Sequence, residues 1–95
     1  MVSAMTDPAP HHILFYDYVE DILDRRAPHR DAHLKELRAG KEDGRIVSAG
    51  PLGDPPHGAA IVFKDRAAAE AFVQADPYVI NGLVTDWRVD LWNLV

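Results

Sequence analysis

Ninety-five residues, 47% of them hydrophobic and 26% charged, fit one globular domain and exclude a multi-domain enzyme. Cysteine is absent, which excludes a disulfide framework, a thiolate nucleophile, a zinc ribbon and an iron–sulfur cluster. A net charge of −5 speaks against a chain devoted to nucleic acid phosphates, and apolar runs such as 59–63 fall far short of the roughly 18 residues of a spanning helix.

We therefore expect a soluble, cytoplasmic protein with no nucleic acid and no membrane partner. A chain of this length buries only about 60–65% of the surface its unfolded form exposes, so a second copy would help its thin core, and we expect a homodimer. Seven of the ten basic residues lie between positions 24 and 45, giving that stretch a local balance of +2 against −7 for the rest. Such a face can steer a small anion, although a solvated mixed-charge face is the commoner reading.

Residues 1–10 (MVSAMTDPAP) have neither helical nor strand periodicity and are expected to form a flexible arm ahead of a domain at 11–95. The run 12–19 (HILFYDYV) is aromatic and β-branched, as a first strand should be. A short turn around Asp24 and Ala27 precedes a helix that Pro28 opens and Gly44 ends, at about Asp43. A second strand at 45–50 and a third at 59–63 flank the proline-rich 51–57 and are expected to pair as a hairpin. Asp65 can cap a second helix through AAAEAFVQA, which stops before Pro77. In the last strand Trp87, Val89 and Leu91 alternate with Arg88, Asp90 and Trp92. The order β-α-β-β-α-β is that of an α+β, ferredoxin-like split βαβ fold: a four-stranded antiparallel sheet with both helices on one face.

Two polar residues fall on inward faces. In the first helix Leu34 and Leu37 define the apolar stripe, His33 borders it, and Arg30 lies a turn earlier on the same side. In the second helix the stripe of Ala68, Ala69, Phe72 and Val73 continues onto Asp76. An anion at a helix C-terminus is disfavoured unless a cation or donor is near, and the topology makes His33 and Arg30 its nearest candidates. A carboxylate-held histidine has a fixed tautomer, as a general acid/base requires. Periodicity equally allows a core-edge histidine on a backbone carbonyl and an aspartate that merely stops a helix. Tyr16 and Ser48 are candidates to line the cleft as hydrogen-bond donors, and Tyr78 to close it or to pack. His29 and His33 have a metal-compatible spacing without an HExxH pattern, so no metal site is expected. Trp87 and Trp92 are expected as core or dimer-interface anchors.

His33-Leu34, Glu42-Asp43-Gly44-Arg45, Ala49-Gly50-Pro51 and Ala75-Asp76-Pro77-Tyr78-Val79 together resemble the YciI-like (YCII-related) proteins over about positions 12–95. The resemblance implies that two copies pair into a dimeric α/β barrel similar in architecture to muconolactone isomerases. It also implies an active-site His and Asp, which carry onto His33 and Asp76, with Gly50 and Pro51 beside the cleft. The connection 52–57 is short where relatives often have a longer loop, which puts substrate specificity in doubt.

Two functional expectations follow. The first is a small enzyme without a cofactor that moves a proton on an anionic or cyclic organic molecule, as an isomerase or lyase does, with His33 as acid/base, Asp76 as its orienter and Arg30 as an anion anchor. The second is a non-catalytic module that binds a small-molecule ligand in the same cleft. An RNA-binding domain would need an RNP1-like aromatic context and a basic surface, and neither is present.

Overall fold

The computed structural model describes residues 9–95, so the expected arm lies, apart from Ala9 and Pro10, outside the described residues. In chain order the elements are β1 (His11–Tyr18), α1 (Ile22–Arg25), a 3₁₀ turn (Ala27–His29), α2 (Arg30–Glu42), β2 (Ile46–Leu52), β3 (Gly58–Phe63), α3 (Arg66–Ala75), α4 (Pro77–Ile80) and β4 (Val84–Trp92). The strands form one antiparallel sheet in the order β2-β3-β1-β4, the ferredoxin-like arrangement. Among the described residues no helix is long and apolar enough to cross a membrane.

The local signals act where their chemistry requires. The Asp65 side chain accepts the Ala68 N–H at 2.8 Å and caps α3. Gly44, at φ 85°, takes the chain out of α2 through a conformation open to glycine. Pro28 opens the 3₁₀ turn rather than α2 itself, which starts at Arg30. Asp76 is extended (φ −71°, ψ 120°), as a residue before proline prefers, and this breaks the helical run into α3 and α4.

Alternation divides the sheet into two faces. Leu14 and Tyr16 of β1, with Ile61 and Phe63 of β3, pack beneath Ala69, Phe72 and Val73 of α3. Ile22, Tyr78 and Leu83 form a smaller cluster at one end. Ile13, Phe15 and Val62 lie half-buried on the face away from the helices. Gly58 lets β3 approach β1 closely, because a Cβ there would collide with the Tyr16 carbonyl oxygen. Trp87 and Trp92 are 37% and 45% exposed, so neither is a core anchor within one chain.

Candidate functional site

α2 carries His33 on its inward side, and the break between α3 and α4 carries Asp76 to meet it. The two are the buried polar side chains among the described residues, with 5% and 0% exposure. His33 Nδ1 lies 2.7 Å from Asp76 Oδ1. Asp76 Oδ1 also accepts the Tyr78 backbone N–H at 3.0 Å, and Oδ2 accepts the Tyr16 hydroxyl at 2.8 Å. An ionised carboxylate only accepts, so with Asp76 ionised and the imidazole neutral the ring proton belongs on Nδ1 and the lone pair on Nε2. The ring lies flat on Tyr78, with centroids 3.8 Å apart and planes 5° from parallel, and the Phe72 ring stands against it at 6.4 Å and 70°. The stack on Tyr78 and the Asp76 contact leave the imidazole little rotational freedom.

The electrostatic setting of Asp76 differs from the one its sequence position suggests. The helical run has already ended there: the Asp76 N–H closes α3 on the Phe72 carbonyl, while its side chain caps α4 through the Tyr78 N–H. The carboxylate thus meets donors rather than the bare carbonyl end of a helix. Arg30 makes no hydrogen bond to it among the described residues.

A cavity of about 170 Å³ opens above the pair. Leu34, Leu37 and Ile61 form apolar walls, Arg26 and Arg30 bring two guanidinium groups, and Tyr18, Tyr78 and His33 supply the other polar edges. No carboxylate belongs to the lining. Burial pushes the Tyr18 phenol above its ordinary range, and the same cause raises Tyr78, against the opposing pull of nearby arginines. Both phenols are therefore neutral donors at physiological pH. Among the described residues no group of three or more His, Cys, Asp or Glu side chains is gathered as a metal site.

His33, Arg30, Gly50, Pro51 and Tyr78 of the expected set line the cavity, and Asp76 lies directly behind His33. Ser48 does not. Plain alternation from the inward Ile46 would turn Ser48 toward the helices, but the register shifts between Ile46 and Ser48, so Ser48 pairs with Val62 on the open face while Ala49 and Pro51 turn inward. Tyr16 also stays out of the lining, at 1% exposure, with its hydroxyl committed to Asp76. Two polar lining residues escape the sequence reading. Tyr18 follows Tyr16 by two positions, a spacing that places it on the same face. Arg26 lies in the irregular stretch between α1 and α2, where no period marks a face.

The model of the YCII-related domain matches residues 11–93. Protein YciI from Escherichia coli O6:H1 is 31% identical over 83 residues, spanning 76% of this chain and 85% of that protein, and Protein YciI from Shigella flexneri matches equally. Among solved structures, 5-chloro-2-hydroxyhydroquinone dehydrochlorinase from Burkholderia phenoliruptrix, in complex with 2,5-dihydroxybenzoquinone, is similar with a TM-score of 0.70 and 22% identity, over 86% of this chain and 92% of that one. An antibiotic biosynthesis monooxygenase follows at 0.54 and 16%, over 90% and 98%. At these identities the structural likeness shows a shared fold.

Proposed function

Because the chain belongs to the YCII-related family, and because its buried His33–Asp76 pair lies at an arginine-bearing cavity, we propose that it is a small-molecule enzyme using His33 as a general acid/base. The observation that carries this reading is the 2.7 Å contact between His33 Nδ1 and Asp76 Oδ1, which leaves Nε2 as the free base. Nε2 takes a proton from an activated C–H or O–H of a bound ring. The electron pair left behind delocalises as an enolate or phenolate, and Arg26 and Arg30 offset its charge. Asp76 holds the imidazolium until the proton returns at another carbon, which completes an isomerisation. In the elimination variant the electron pair expels an anionic leaving group, and the proton passes to solvent.

Substrate size and sign follow from the lining. A cavity of about 170 Å³ with two arginines and no carboxylate suits one ring bearing an oxyanion or carboxylate. The fold shared with a dehydrochlorinase makes hydroxylated rings the first compounds to screen. Assembly belongs to the same reading: the open sheet face, with Ile13, Phe15 and Val62, packs against its copy in a homodimer, and a monomer by sedimentation at micromolar concentration contradicts that.

The test is hydrogen exchange from deuterated water into monocyclic hydroxylated acids, quinones and lactones, read by NMR. Wild type should wash deuterium into one ring position or form a product, and His33→Ala should slow this by about a hundredfold or more. A compound that binds the cavity yet neither exchanges nor changes overturns catalysis and assigns the protein as a binding module.

A further inference from the structure

We propose that Tyr16 is a positioning residue for the His33–Asp76 pair: from beneath the cavity floor its hydroxyl keeps the carboxylate ionised, so that His33 holds its proton on Nδ1 and its lone pair on Nε2. This role rests on His33 being the acid/base, and it adds what determines which ring nitrogen is the base.

The donor inventory around Asp76 is unequal. Oδ1 accepts two hydrogen bonds, from His33 Nδ1–H at 2.7 Å and Tyr78 N–H at 3.0 Å, whereas Oδ2 accepts one, from Tyr16 at 2.8 Å. Asp76 is 0% exposed, so water does not replace a lost donor at its surface. A buried carboxylate short of donors relieves the cost of its charge by taking up a proton. Once neutral, Asp76 can donate instead of accept. Its O–H would then point at His33 Nδ1, the ring proton would move to Nε2, and the nitrogen at the cavity would no longer be a base.

Tyr16 suits this task and little else at the site. It is held mid-strand between Ala59 of β3 and Trp87 of β4, and it does not line the cavity, so it acts through Asp76 and not on a ligand. Burial first, and then the Asp76 charge, push its phenol far above the ordinary tyrosine range, which keeps it a donor at every pH where the protein works. Tyr18, two residues on, has the opposite duty and faces the cavity.

The experiment reads the His33 tautomer by NMR on protein carrying ¹⁵N-histidine, at one fixed pH just above the titration of the wild-type imidazole, with no ligand present. Wild type should favour Nδ1–H by about tenfold or more, and Tyr16→Phe should reduce that preference to a few-fold or invert it. In an Asp76→Asn background the same Phe substitution should leave the ratio unchanged. An unaltered ratio in Tyr16→Phe assigns Tyr16 to packing and overturns the role. If Tyr16→Phe does not fold, fluorotyrosine at position 16, a stronger donor, should weaken the His33–Asp76 bond and move the Nδ1 proton resonance upfield; no movement overturns the role. Because no turnover is read, a tautomer shift in a protein that converts nothing sinks the acid/base reading alone.

Discussion

The two faces of β1 are built from alternate residues of one strand, yet they end in opposite circumstances. Leu14 and Tyr16 are 0% and 1% exposed beneath the helices, while Ile13 and Phe15 stay half-buried on the other side, where the Arg88 guanidinium lies 4.4 Å from the Phe15 ring centre. Over Leu14 and Tyr16 the chain completes its own packing, and there it can hold a carboxylate out of water, because donors are fixed around it. The open face keeps apolar rings at the solvent boundary with a cation laid over one of them. The proposed chemistry uses the side the chain closes, and the proposed assembly the side it leaves open.

The largest test of this contrast is Asp76→Ala, which strips the acceptor from three buried donors. The protein should lose about 3–5 kcal/mol in urea denaturation, and a loss near zero would mean that the covered face is not sealed. Alkaline titration comes next. Tyr16, Tyr18 and Tyr78 all have raised folded-state pKa values, with burial as the first cause, so the unfolded chain ionises before the folded one. Their contribution is complete below the ordinary tyrosine value of about 10 and declines as pH rises beyond it. Tyrosinate absorbance should therefore appear together with the loss of the circular dichroism of the fold, and tyrosinate formed in intact protein would break the comparison.

Changes on the open face should be smaller. Arg88→Ala should cost about 0.5–1 kcal/mol by loss of its contact with Phe15, and ligand affinity at the cavity should not move. Ser48→Ala should stay within about 0.5 kcal/mol and leave affinity unchanged. A tighter or weaker ligand in Ser48→Ala, measured by calorimetry, would place Ser48 at the cavity after all.

The element order and the meeting of His33 with Asp76 were legible because periodicity reports which side of an element faces the core, and the split βαβ topology superposes those sides. Ser48 falls outside the lining because one extra residue at Val47 inverts the alternation downstream, and a bulge leaves no compositional mark. Arg26 was invisible because it stands between two short helical pieces, where position depends on packing and not on a period. Tyr16 was recognised as a donor, but its acceptor lies 60 positions away, a separation that local pattern does not span.

The joint at Asp76 makes the length of α3 a matter of phase. The residue is the last stop of one helix and the first cap of the next, so its carboxylate is indexed by the number of residues after Asp65. Removing or adding one residue within α3 would rotate that carboxylate by about 100° around the helix axis and carry it away from both Tyr16 and His33. No residue of the loop at 53–57 lines the cavity or touches this joint, so a change of length there spares the clockwork, whereas length is counted in the second long helix.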